Sequence, residues 1–169
     1  NSISIVNNDG ILCTSIPSAV KQADIVSVLV PDKHIPAVWN SYIKHNLKKD
    51  QAVLFSHGYN VLYGLIDIPL FIDVIMVAPS GGGAIVRKEY LNNSGVPTLL
   101  AVHQDYTQNA LEISKEYSKA IGGTKICAFI STFKEETETD LFGEQAILTG
   151  GLPYLINQSF KSLVKGGYS

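Results

Sequence analysis

Five runs of the chain are apolar almost without interruption, rich in Val and Ile, and bounded by polar or turn residues: 23–30, 51–56, 73–78, 97–103 and 125–132. Continuous rather than alternating hydrophobicity is what a strand needs when both of its faces are covered, as in a parallel sheet sandwiched by helices. Between these runs the apolar positions recur at helical spacing, over 36–47, 84–93 and 107–121. Strand then helix, repeated, predicts right-handed βαβ units and therefore an α/β, doubly wound, Rossmann-like sheet. Thr107 is placed to cap the third of these helices, and Gly122-Gly123 to stop it. After Thr132 the rhythm changes: 136–166 reads as helix, with breaks expected at Gly150-Gly151 and at Pro153. A domain boundary is expected there, dividing the chain into 1–131 and 132–169.

Composition narrows the partners. Thirteen basic against 15 acidic residues give a formal charge of -2, and no segment gathers Lys and Arg into a surface for nucleic acid or anionic lipid. Cys13 and Cys127 stand far apart with no metal-ligand spacing, which excludes a disulfide framework or structural zinc and fits a reducing cytoplasm. No apolar run approaches the roughly 20 residues of a membrane span.

Ligands of doubly wound sheets bind beyond the carboxyl ends of the strands. The residues that follow the first four runs are Pro31-Asp32-Lys33-His34, His57-Gly58-Tyr59-Asn60, Pro79-Ser80-Gly81-Gly82-Gly83 and His103-Gln104-Asp105, and in an all-parallel sheet they share one edge. The three glycines run straight into a helix, which brings backbone N–H groups up to a phosphate or carboxamide; a plain strand-to-helix turn accounts for them equally. The dinucleotide fingerprint GxGxxG occurs nowhere in the chain. A strand-end histidine at the cleft, His57, suits proton transfer or orientation, beside the plainer reading of a structural histidine. His34 and His45 read as solvent-exposed, and His103 stays undecided.

The stretch KEETETDLFGEQ at 134–145 is dense in carboxylates. If Thr137 or Thr139 caps a helix, Asp140 and Glu144 fall at i and i+4 on one face, close enough to share hard cations. Glu135, Glu136 and Glu138 are accounted for as a helix start, where carboxylates meet the positive end of the macrodipole. Glu144 lies between Leu141-Phe142 and Ala146-Ile147-Leu148, an apolar setting in which partial burial is expected and a cation or hydrogen-bond partner is required.

These residues are also recognisable together. SHGYN at 56–60, DVIMVAP at 73–79, VRKEY at 86–90, GVPTLLAVHQD at 95–105 and above all FKEETETDLFGEQAILTGG at 133–151 resemble ketol-acid reductoisomerase, or acetohydroxyacid isomeroreductase. The likeness runs through ADIVSVLVPD at 23–32 to FKSLVKGGYS at 160–169. The resemblance implies an NADPH-dependent enzyme of branched-chain amino-acid biosynthesis. Its members convert 2-acetolactate or 2-aceto-2-hydroxybutyrate into 2,3-dihydroxy-3-methyl acids, by an alkyl migration assisted by two Mg²⁺ ions and then hydride transfer. Carried over by motif, Asp140 bridges both ions and Glu144 binds one; His57 is the active-site histidine; Asp32, Lys33, His34 and Ile35 lie along the cofactor, and Gly83 contacts NADP. The chain departs from the family at Lys33 and His34, and reads PSGGG where PKGPG is usual, so that Ser80 replaces a lysine.

By the same resemblance the chain begins after the family's glycine-rich fingerprint and ends before its remaining glutamate ligands, its substrate-binding serine and most of a knotted helical domain. The expectation that follows is a homo-oligomer, a dimer or a multiple of dimers in the cytoplasm, with little or no turnover from these residues alone. Two readings follow: part of an active reductoisomerase, or a non-catalytic remnant that acts as a binding or oligomer partner.

Overall fold

β-Branched side chains pack well on a pleated surface covered from both sides, and each of the five apolar runs forms a strand of one sheet in the computed structural model, which describes residues 2–168. Helices α1 (Ser2–Asn8) and α2 (Ile16–Gln22) lead to β1 (Ile25–Val28). The start of α2 is set locally, by Ser15 accepting a hydrogen bond from the Ser18 amide and by a proline in the first turn. A 3-10 turn over Asp32–His34, α3 (Ile35–Val38) and a π-helical turn over Trp39–Ile43 then bring the chain to β2 (Ala52–Phe55) and the short α4 (Tyr59–Leu62). The rest comprises β3 (Asp73–Pro79), α5 (Gly83–Leu91), β4 (Thr98–Gln104), α6 (Ala110–Ala120), β5 (Ala128–Ile130), α7 (Phe133–Phe142) and α8 (Leu152–Lys165).

The sheet order is β1-β2-β3-β4-β5. β1, β2 and β3 are parallel, in the register Val28↔Phe55 and Phe55↔Met76. β4 is antiparallel to β3, with Thr98 opposite Pro79 and Gln104 opposite Val74, and β5 runs parallel to β4. The sheet is thus mostly but not wholly parallel. No residue of α5 is buried, so this helix lacks the apolar stripe by which a crossover helix packs along a sheet face. The chain stays at the end where β3 finished, and β4 starts there. As a consequence His103, Gln104 and Asp105 lie at the opposite edge from Pro31, His57 and Ser80, contrary to the expectation of a single polar edge. Gln104 instead donates to the carbonyls of Pro69 and Ile72.

Two apolar layers hold the sheet. On one face Trp39, Phe55, Val74, Met76 and Phe133 are buried together; on the other Leu54, Ile75, Val77 and Leu100 meet Ala110 of α6. Trp39 is fully buried and its indole N–H donates to the Asp67 carbonyl at 3.0 Å. Burial of each such side chain contributes roughly 1.5–3 kcal/mol. Thr107 does not cap α6: its amide and hydroxyl donate to the buried Asp73 carboxylate, at 2.8 and 2.5 Å, and Asp105 receives the Ala110 amide instead. A buried carboxylate must be hydrogen-bonded, and Asp73 takes the threonine for that purpose. Gly122 does end α6, in the left-handed region at φ 90°.

From Phe133 to Lys165 the chain is helical throughout. The breaks expected at Gly150-Gly151 and Pro153 do not occur; a π-helical stretch over Gly143–Gly151 joins α7 to α8. The glycines permit it, since an added Cβ at Gly150 would lie 2.1 Å from the Gln145 carbonyl oxygen and one at Gly151 2.4 Å from that of Ala146. None of the residues in the π stretch or in α8 is buried. Among the described residues no helix is long and apolar enough to cross a membrane.

Candidate active site and metal centre

Helix α7 is capped by Thr132, whose hydroxyl accepts the Glu135 amide at 3.0 Å, and not by Thr137 or Thr139. That start points Glu136 inward. It is 4% exposed, buried against the loop that follows β2, which corrects its assignment to a solvated helix start. One carboxylate oxygen lies 3.0 Å from His57 Nδ1; the other accepts the Gly58 amide at 3.2 Å and the Thr137 hydroxyl at 3.3 Å. Gly58 makes this approach possible, because a Cβ there would stand 2.3 Å from Thr137 Oγ1 and 3.0 Å from the Phe133 carbonyl oxygen. Asp140, one turn along, brings Oδ2 to 3.5 Å from His57 Nδ1. His57, Glu136 and Asp140 each offer a ligand atom within 4.8 Å of the others.

The electrostatics follow from that packing. The His57 pKa is raised above its usual value, first by the hydrogen bond to Glu136; burial opposes the shift, and the charges of Glu136, Asp32 and Asp140 add to it. The Asp140 pKa is raised as well, first by burial; His57 opposes this, while Glu144, Glu136 and Asp32 reinforce it. Carboxylates therefore crowd one spot with a single imidazole among them, a charge balance that a divalent cation relieves. Both Glu136 oxygens are engaged by protein donors and imidazole is a poor magnesium ligand, so within the cluster Asp140 has the donor most open to a hard cation.

Two cavities meet at His57. The larger, about 1150 Å³, is lined by Ser56, His57, the turn Ser80–Gly83, Arg87 and Tyr90, and, from the long helix, Glu136, Asp140, Glu144 and Leu148. The smaller, about 260 Å³, is lined by Pro31, Asp32, Ile35, Ser56 and His57. An added Cβ at Gly82 or Gly83 would meet nothing within 4 Å. Packing therefore does not demand glycine there, and the open space belongs to the cleft. Gly82, the residue before α5, supplies no side-chain cap; the Ile85 amide bonds to the Gly82 carbonyl, which leaves the amides of Gly83 and Ala84 for a carboxamide or phosphate oxygen.

Of the residues singled out in the sequence, His57 borders both cavities, Gly83, Asp140 and Glu144 line the larger, and Asp32 and Ile35 the smaller. Lys33 and His34 are exposed and border neither, and the Ile35 side chain is 3% exposed, within the core. Glu144 is exposed rather than partly buried, because the apolar residues around it face outward along an uncovered helix. Glu136 was missed as a functional residue, although Glu136, Asp140 and Glu144 stand four apart and its spacing alone places it on the same face. Asn60 was missed too. It is 1% exposed, and its amide nitrogen donates to the Asp32 carbonyl and to Asp32 Oδ1, both at 3.2 Å. Its own Oδ1 is buried with no hydrogen-bond partner among the described residues.

The family description "Acetohydroxy acid isomeroreductase, NADPH-binding domain" matches residues 1–127, and "Ketol-acid reductoisomerase, C-terminal domain" matches 133–169. The chain belongs to the ketol-acid reductoisomerase family. It is 45% identical over 161 residues to "Ketol-acid reductoisomerase (NADP(+))" of Beutenbergia cavernae, covering 95% of this chain and 47% of that protein. The protein of the same name from Methanopyrus kandleri is 48% identical over 160 residues, covering 95% and 49%. Among solved structures, an "NADH-preferring ketol-acid reductoisomerase from an uncultured archean" superposes with a TM-score of 0.94 at 41% identity, covering 99% of this chain and 51% of that one. The chain spans about half the length of the reductoisomerases that it matches.

Proposed function

We propose that this chain is part of a ketol-acid reductoisomerase of valine, isoleucine and leucine biosynthesis, acting on 2-acetolactate and 2-aceto-2-hydroxybutyrate. The observation that carries the reading is the cluster of His57, Glu136 and Asp140 at the carboxyl end of the parallel strands, in a chain whose two parts match the two domains of that family. Residues 1–131 form the cofactor domain in this reading, and 132–169 the beginning of the helical one.

Asp140 and Glu144 would hold the magnesium. Asp32 and Gly83 border the cofactor; Lys33, His34 and Ile35 serve it through the backbone of their turn. When bound, Mg²⁺ supplies Lewis-acid polarisation of the substrate oxygens, and NADPH supplies the hydride. The chain's own part is proton handling and orientation. Glu136 fixes the His57 ring through Nδ1 and favours its cationic form, so the proton available to a substrate oxygen is carried on Nε2. Glu136 in turn is fixed by the Gly58 amide and the Thr137 hydroxyl. Arg87 is the one Lys or Arg lining the larger cavity among the described residues, and with serine at position 80 it is the cation left to meet an anionic ligand there.

NADPH is favoured over NADH by the family description, while relatives are named for either preference. In this reading the protein is cytoplasmic and a homo-oligomer, either a dimer or a multiple of dimers. Incubation of the native protein with acetolactate, NADPH and Mg²⁺ is expected to oxidise the nicotinamide only when the metal is present; metal-independent turnover, or none, sinks the proposal. The 169-residue chain alone is expected to turn over little or no substrate. An intact mass of the native protein that equals the 18.3 kDa of this chain would favour the second reading, a non-catalytic binding or oligomer partner.

A further inference from the structure

We propose that Asn60 is a positioning residue: its buried carboxamide ties the turn Pro31–His34 to the loop of His57, and holds that turn in the form that receives the cofactor. The inference rests on the reading of Asp32 and its turn as part of the cofactor site.

The turn is anchored at its end by the buried Ile35, but none of the side chains of Asp32–His34 is buried. Lys33 and His34 are exposed, and within the turn the backbone bonds are local, from the His34 amide to the Pro31 carbonyl and from the Ile35 amide to that of Asp32. Asn60 is the link from outside. Its side-chain nitrogen reaches the carbonyl and the carboxylate of Asp32 from α4, a strand away in the sheet. Two acceptors on Asp32 decide which end of the amide faces it, since the opposite orientation would set oxygen against oxygen. The other end is left buried without a partner among the described residues. An aliphatic side chain of similar size would fill the site without reaching Asp32. What asparagine supplies, and leucine does not, is the pair of donors to Asp32. The same loop carries His57 and the Gly58 amide that binds Glu136, so the tether fixes the cofactor turn relative to the acid cluster.

Two measurements on the native protein and its Asn60→Leu and Asn60→Asp variants test this. Amide exchange of His34 and Ile35, followed without cofactor, is expected to quicken about tenfold or more in both variants while the strands keep their protection. Where exchange at His34 and Ile35 approaches unprotected rates, so that the turn is closed only about a tenth of the time, NADPH binding weakens about tenfold, read by nicotinamide fluorescence. Asn60→Leu is expected to melt no lower than the parent, which separates positioning from a structural role. Unchanged exchange at His34 and Ile35 overturns the tether; so does a lowered melting temperature with faster exchange throughout. Exchange near unprotected rates with unaltered NADPH affinity supports the tether and overturns the cofactor reading of the turn. If Asn60→Leu does not fold, Asn60→Asp decides alone, since it keeps the shape and sets a second carboxylate against Asp32.

Discussion

At the residue scale the site turns on Glu136, which joins a helix start to a strand end. Glu136→Gln keeps an acceptor for the Gly58 amide but removes the charge that holds His57. The His57 pKa is expected to fall, as followed by imidazole NMR shifts, and the protein to lose about 1.5–3 kcal/mol in denaturant unfolding, the range for a charge-assisted bond. The sign of the pH dependence follows from the same pair. Since the folded pKa of His57 is raised above the usual 6.5, its contribution is complete below 6.5 and is lost as pH rises through the folded value. Asp140 is also raised, above 3.8, so its ionisation costs stability as pH climbs from 3.8 through its folded pKa. Titration of stability with pH should therefore fall in both windows, and saturating Mg²⁺ should flatten the acidic one. Asp140 and Glu144 were legible in the sequence because spacing along one helix is a local property. The same spacing puts Glu136 on their face, but its burial against Gly58 and the tie of Asn60 to Asp32 were not legible, since those partners lie 78 and 28 positions away and no periodicity carries that distance.

At the element scale the existence of the strands is legible and the direction of one of them is not. An apolar run of Val and Ile looks the same whichever way it lies, and the reversal at β4 depends on α5 having no buried face. The unbroken helix through Gly150 and Gly151 was equally hidden. Two glycines read as a stop, but here they admit a wider π turn in which carbonyl oxygens approach closely. Gly150→Ala is expected to cost about 1–3 kcal/mol through the crowding it introduces. It should also weaken Mg²⁺ binding measured by calorimetry, because the π stretch that carries Glu144 must rewind. An unaltered melting temperature and metal affinity would show that the stretch tolerates a side chain there.

At the scale of the whole molecule one end is uncovered. Leu152, Leu155, Ile156, Phe160 and Leu163 recur at helical spacing along α8 and are all exposed, Phe160 at 65%. Sedimentation of the chain is expected to show association that grows with concentration, and Leu155→Glu with Phe160→Glu to reduce it without altering the sheet; a monomer at all concentrations would contradict this. The continuous helix from Phe133 to Lys165 has a mechanical consequence. Near one end it carries the acid cluster and at the other the apolar stripe, at about 1.5 Å per residue, so it is a rigid lever with the cluster close to its pivot. Any surface that seats the far end sets the tilt of Asp140 and Glu144 against the sheet, and a small rotation there is a measurable change in how far the Asp140 carboxylate stands from His57.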